Sequence, residues 1–105
     1  MWYYYILLEK KEKAFNRILD KQELSTGNSL LIYSAQYNLK SLVELLLLKG
    51  GDPNIQNNFG NTALHIAFKN DNVFIINLLL EYKADQKIPN NNGLLPWQMT
   101  KFLNN

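Results

Sequence analysis

Cysteine is absent from the 105 residues, which excludes disulfide frameworks and thiolate metal sites. Histidine occurs once, as His65. A Ser-His-Asp arrangement would have to be built around it, and no nucleophile motif flanks it. There is no glycine-rich phosphate loop, no metal-spaced cluster and no dinucleotide fingerprint, so no cofactor is expected. Long hydrophobic runs are missing too. The longest, residues 2–8, is far below the roughly 18 residues of a membrane span. It is also a poor secretion signal, because no basic segment precedes it and no small-residue cleavage site follows it. The expectation is an intracellular, cytoplasmic protein without a membrane span. Charge of one sign is likewise scarce: eleven basic residues stand against nine acidic ones. They are interspersed except in the run Glu9, Lys10, Lys11, Glu12, Lys13, which reads as a solvated helix face. A nucleic-acid footprint needs a stronger basic bias on one surface, so no nucleic-acid partner is expected.

What is present is enough for one small domain, at 47% hydrophobic content, and it carries a repeat. The stretch Gly60, Asn61, Thr62, Ala63, Leu64, His65, Ile66, Ala67 recurs in weaker form 33 residues away on both sides. Gly60 lies over Gly27 and Gly93, Thr62 over Ser29 and Leu95, Leu64 over Leu31 and Trp97, and Ile66 over Tyr33 and Met99. A fixed period of that length is the signature of a solenoid. The pattern resembles the ankyrin repeat, whose motif runs Gly, any residue, Thr, Pro, Leu, His, any residue, Ala. The resemblance implies an all-α solenoid of stacked antiparallel helix pairs with extended finger loops.

In chain order, the apolar stripe Ala14, Phe15, Ile18 and Leu19 predicts a helix over residues 9–20, the outer helix of an incomplete repeat. Tyr4 precedes Phe15 by eleven residues, as Leu31 precedes Leu42 and Leu64 precedes Ile75. Residues 1–26 are therefore read as a degenerate N-terminal unit with a short finger, residues 21–26. The first full repeat is 27–59. Ser29 is a candidate N-cap for a helix over 30–37, and Asn38 tolerates the left-handed turn where the family usually has glycine. A second helix over 40–49 carries Leu42, Val43, Leu45, Leu46 and Leu47, apolar on most of its circumference, so stacking on more than one side is expected. Gly50, Gly51, Asp52, Pro53 and Asn54 break it and lead out a finger ending at Phe59. The second repeat, 60–92, is nearest the family pattern: Thr62 caps, Asp71 and Asn72 turn the chain, and Val73, Ile75, Ile76, Leu78, Leu79 and Leu80 build the second helix. Lys83 replaces the family's glycine at a turn, which predicts a less regular finger. The last unit, 93–105, keeps Gly93 and has Pro96 where a first helical turn accepts it. It loses the capping hydroxyl at Leu95 and has Gln98 in place of the histidine.

The resemblance implies that Thr62 and His65 hydrogen-bond to each other and to nearby backbone, bracing the finger against the helix. Asp52 and Asp85, one per repeat at a finger base, read as turn chemistry rather than an acid/base pair. The expected function is non-catalytic binding of a partner protein, with a structural subunit embedded in a larger assembly as the alternative and an enzyme disfavoured. The family's variable concave positions fall on Gln36, Tyr37, Asn58, Phe59, Asn61, Lys69, Asn70, Asn91, Asn92 and Leu94. Among these Tyr37, Phe59 and Leu94 are candidate anchors, the alternative being that Phe59 packs on a neighbouring finger and the asparagines are polar filler. A second expectation concerns Trp2, Tyr3, Tyr4 and Tyr5. With Ile6, Leu7 and Leu8 they are apolar all round a helix, more than the first repeat can cover. They are expected to dock on another protein or on a second copy of the chain.

Overall fold

Three of the four short helices begin where a side chain accepts an orphan N–H, and the one that follows Leu39 begins without that bond. The computed structural model describes residues 2–101. Its elements are α1 (Trp2–Ile18), α2 (Leu30–Gln36), α3 (Lys40–Leu48), α4 (Ala63–Lys69), α5 (Val73–Glu81) and a 3-10 turn (Pro96–Met99), with no strand among the described residues. Ser29 Oγ accepts from the Ile32 N–H at 3.3 Å and Thr62 Oγ1 from the His65 N–H at 3.4 Å. Both caps are extended in backbone, the conformation in which a hydroxyl meets the first turn. Asn72 Oδ1 does the same for α5, accepting from the Ile75 N–H at 3.2 Å. The inner helices α2 and α4 end in left-handed residues, Asn38 at φ 58° and Asp71 at φ 52°. Those side chains tolerate a conformation that most residues avoid.

The outer helices end at Gly50, φ 92°, and at Lys83, φ 65°. Lys83 carries strain of roughly 1 kcal/mol there, yet the expected irregularity of its finger is absent. Ala84 N–H donates to Leu79 O at 3.0 Å, as Gly51 N–H donates to Leu46 O at 2.9 Å.

α2 packs on α4, α3 on α5, and α4 on the 3-10 turn. Between them lie Leu31, Ile32, Val43, Leu46, Leu64, Ile75 and Leu79, none more than 2% exposed. Each contributes on the order of 1.5–3 kcal/mol by leaving water.

Three expectations are corrected by the fold. The N-terminal unit is one continuous helix: the eleven-residue offset that puts Leu31 and Leu42 on separate helices leaves Tyr4 and Phe15 both on α1. The register explains why. Laying Tyr4 over Leu31 and Leu64 brings Lys11 over Asn38 and Asp71, and Glu12 over Leu39 and Asn72. Lysine and glutamate are good helix formers and poor turn residues, and Lys13 adds an ion pair to Glu9 at 3.1 Å on the exposed surface. The second correction follows from the first. Stacking buries Val43, Leu46 and Leu47 of α3 but leaves Leu45 at 42% and Leu48 at 67% exposed; α1, which buries none of its own residues, meets α3 only across an open cleft lined by Leu8, Phe15 and Leu45. The last concerns the C-terminal unit, which among the described residues opens with a 3-10 turn over Pro96–Met99 and not an α-helix; residues 102–105 lie outside the described residues, as does Met1.

Candidate functional site

The fingers are joined by a ladder of asparagines. Asn57 Nδ2 donates to Asn28 Oδ1 at 2.9 Å, and 33 residues on, Asn90 Nδ2 donates to Asn61 Oδ1 at 2.9 Å. Asn58 N–H donates to Thr26 O at 2.9 Å and Asn91 N–H to Phe59 O at 3.0 Å. Their side chains continue the pattern, Asn58 Nδ2 to Ser25 O at 3.1 Å and Asn91 Nδ2 to Asn58 O at 2.9 Å. The turn glycines make room for this. A Cβ on Gly60 would stand 2.5 Å from Asn91 Oδ1 and 2.6 Å from its backbone nitrogen, and one on Gly27 would meet Asn58 in the same way. A glutamine ladder runs beside it, with Gln22 Nε2 donating to Gln56 O at 2.8 Å and Gln56 Nε2 to Pro89 O at 3.1 Å. Asp52 and Asp85 close turns at the finger bases, each carboxylate accepting from the N–H two residues on, of Asn54 and Lys87.

His65 locks this edge to α4. Its Nδ1 accepts from the Thr62 N–H at 3.0 Å, and its Nε2 lies 2.9 Å from Leu94 O. The ring is therefore the neutral Nε2–H tautomer, donating across to the next finger. It is fully buried, and that desolvation holds its pKa below the ordinary value while the bond to Leu94 works the other way. Both nitrogens are occupied by the scaffold, the bracing role that the resemblance implied. Gln98 does half of this in the last unit, its Oε1 accepting from the Leu95 N–H at 2.7 Å.

Beyond the ladder, the fingers and inner helices frame two adjoining clefts of about 300 and 330 Å³. Phe59, Asn61 and Lys69 line both. Gln36 and Asn70 complete the first with Thr26, Asn28, Asn57 and Ile66, and Asn91, Asn92 and Leu94 complete the second with Asn90 and Met99. Of the ten concave positions singled out in the sequence, eight thus come together. Asn58 lines neither cleft, and Tyr37 stands apart at the end of α2, 63% exposed. Phe59, where the clefts meet, is 70% exposed. Leu94 is half-buried.

The asparagines divide by role. The amides of Asn58, Asn61 and Asn91 belong to the ladder, and Asn70 Nδ2 donates to Ala35 O and Gln36 O at the end of α2. Gln36, Lys69 and Asn92 make no side-chain hydrogen bond or ion pair among the described residues and remain available. Sequence reasoning passed over Asn28, Asn57 and Asn90, whose signal was present: Asn57 and Asn90 recur at the repeat spacing, as do Asn28 and Asn61. Among the described residues no group of three or more His, Cys, Asp or Glu is placed to hold a metal ion. Among the described residues no helix is long and apolar enough to cross a membrane.

At the other end, Trp2, Tyr3, Tyr4 and Tyr5 form the first turn of α1 and are 72%, 64%, 59% and 66% exposed. Trp2 and Tyr3 meet edge to face at 6.4 Å, as do Tyr4 and Tyr5 at 5.9 Å.

Comparison with known proteins agrees with this architecture. A family description of ankyrin repeats in three copies matches residues 5–99. An ankyrin repeat protein of Acanthamoeba polyphaga mimivirus is 44% identical over 70 residues, 66% of this chain and 17% of that protein. One from fowlpox virus (strain NVSL) is 37% identical over 84% of this chain and 27% of its own length. One from Rickettsia felis is 37% identical over 76% of this chain and 39% of its own. The chain therefore spans well under half the length of these relatives. Among solved structures, the ankyrin repeat domain of Bcl-3, a member of the IkappaB protein family, superposes with a TM-score of 0.77 at 29% identity, over 79% of this chain and 36% of that one. The chain belongs to the ankyrin repeat family, a non-catalytic fold whose repeats generally serve as protein–protein interaction modules.

Proposed function

We propose that this chain binds a partner protein in the two clefts that meet at Phe59. The supporting observation is the Phe59 ring itself, 70% exposed on a finger whose neighbours are all tied into the ladder. An aromatic side chain on a rigid support, surrounded by polar groups, is the usual make-up of an interface anchor. The wall around it is uncharged except for Lys69. That composition suits a partner segment offering an apolar socket for Phe59 and a carboxylate or carbonyl for Lys69. It does not suit a polyanion, which would need a row of cations. Gln36, Asn92 and Leu94 would form the rim, with Tyr37 an outlying contact. The alternative reading is a structural subunit held permanently in a larger assembly, and the bare α1 speaks for it.

The test is to recover partners on the intact chain and measure the recovered protein by calorimetry. Phe59→Ala is expected to weaken binding by more than roughly 1 kcal/mol, about fivefold or more, with Lys69→Ala smaller. Unchanged affinity in Phe59→Ala and Tyr37→Ala would move the site to the convex face or to the ends of the stack.

A further inference from the structure

The turns at Gly60 and Gly93 share one backbone pattern: Asn57 O accepts from the Gly60 N–H at 2.9 Å and Asn90 O from the Gly93 N–H at 2.9 Å. The residue before the glycine is Phe59 in one and Asn92 in the other. Phe59 shows where that side chain goes. It stands at the meeting of the two clefts, 70% exposed, although the next finger is already stacked beside it through Asn91. The register therefore keeps a side chain in water whether or not another unit follows. Asn92 holds it in the third unit, is exposed, and lines the second cleft with Phe59 and Lys69. Its amide makes no hydrogen bond among the described residues, whereas the amides of Asn57, Asn58, Asn90 and Asn91 are held by the ladder.

Asn92 is also the one asparagine within the 105 residues that glycine follows. That neighbour matters chemically. A backbone nitrogen can attack the side-chain carbonyl of the residue before it and close a five-membered ring. A Cβ on the attacking residue obstructs the approach, and glycine has none.

We infer that Asn92 is a site of spontaneous deamidation, which turns the uncharged rim of the second cleft into an anionic one. The Gly93 N–H gives its proton to hydroxide, and the nitrogen forms a bond to Asn92 Cγ. The Cγ–Nδ2 bond breaks, Nδ2 takes a proton from water and leaves as ammonia, and a cyclic imide remains. Water then opens the imide at either carbonyl. Opening at Cγ leaves aspartate; opening at the main-chain carbonyl leaves isoaspartate, with the chain routed through the side chain. Either product carries a carboxylate where a neutral amide stood, which lowers the net charge by one from +2. The only charged residue lining that cleft is Lys69.

The fold sets the rate. The Gly93 N–H is held by Asn90 O, and Asn90 Oδ1 accepts from the Asn92 N–H at 3.0 Å, so the reaction waits on opening of the turn and is slower than in an extended chain. Asn28, followed by the small Ser29, is shielded: it is 7% exposed and its Oδ1 accepts from Asn57. The consequence for binding rests on the proposed function, because the new carboxylate would compete for Lys69 and repel a carboxylate of the partner. The chemistry does not depend on that reading.

The test begins with the chain alone, aged at neutral and at mildly alkaline pH and then cut with trypsin. The peptide 88–101 is expected to show the amide-to-acid mass shift ahead of every other asparagine-containing peptide, and faster at the higher pH. Fragmentation should place it at position 92, as a mixture of aspartate and isoaspartate. A synthetic peptide of the same residues should react faster, and Asn92→Gln should remove the shift. An Asn92 that stays intact in the fold while the synthetic peptide deamidates overturns the inference, as does earlier conversion of any other asparagine. Asn92→Asp reads the charge, and in the isotopically labelled chain it should move the Lys69 ammonium resonance. An unmoved resonance overturns the anionic rim. For the partner recovered on the intact chain, Asn92→Asp is expected to weaken binding by about two- to fivefold, the size of an exposed charge contact. Unchanged affinity beside a loss in Phe59→Ala overturns the effect on binding and leaves the Phe59 site standing. Deamidation at Asn92 beside an ineffective Phe59→Ala supports the modification and removes the Phe59 site.

Discussion

Where α4 ends, Asp71 and Asn72 turn the chain back, and the next nine residues return as α5. At the same register in the first unit, Lys11 and Glu12 let the helix run on. The second repeat, closed on itself, buries Ala63, Leu64, His65, Ile66 and Ala67 of its inner helix. α1, left open, buries none of its seventeen residues. Both stretches are rich in apolar side chains, so hydrophobicity is not what separates them. Two turn residues decide whether an apolar helix becomes part of a core or stands out from it.

The comparison can be broken first at the buried end. Leu64 is fully buried, and Leu64→Ala is expected to cost about 2–5 kcal/mol in denaturant unfolding, the transfer loss plus the cavity left behind. A loss below about 1 kcal/mol would mean that α4 is packed little better than α1.

A smaller effect is expected at His65. His65→Ala leaves the Thr62 N–H and Leu94 O without their partner and should cost about 1–3 kcal/mol. His65→Gln should recover part of that, since Gln98 already accepts the corresponding N–H in the last unit. The pH dependence has a definite sign. The folded protein holds His65 neutral, with its pKa lowered by burial, while the unfolded chain takes up a proton near pH 6.5. Stability from this residue is therefore full above about pH 6.5 and is lost as pH falls below it toward the lowered folded value. The natural protein and His65→Gln, unfolded at a series of pH values, should diverge in slope on the acid side; parallel curves would mean that His65 titrates normally in the fold.

The smallest effects come from the turn itself. Asn72→Ala removes the cap of α5 and is expected to cost about 0.5–2 kcal/mol. Glu12→Ala, at the same register but inside a continuous helix, should stay within about 0.5 kcal/mol of zero. Equal costs at the two positions would show that the first unit does turn at Lys11 in solution.

Much of this was legible in the residues because the information is local and repeated. A hydroxyl at Ser29 or Thr62 followed by an apolar helix pattern specifies a start. Asn38, Gly50 and Asp71 specify turns that few other residues accept. The 33-residue offset then tells which segments are equivalent. The same offset misleads at Tyr4 and Phe15, since the apolar spacing survives in the first unit after the turn chemistry has gone. Reading Lys10, Lys11 and Glu12 as helix formers, rather than as a charged face alone, would have predicted the continuous α1.

The concave residues were legible as positions but not as roles. Nothing local separates Asn58 from Asn92. Which amide is consumed by the ladder depends on a carbonyl one repeat away, brought within 3.1 Å only when the fingers stack. The sequence by itself determined the period, the caps, the turns and the all-helical stack, because each rests on backbone preferences within a few residues. Only the tertiary structure decided which polar side chains are scaffold and which face a partner, because burial and hydrogen bonding across repeats depend on what the neighbouring unit brings.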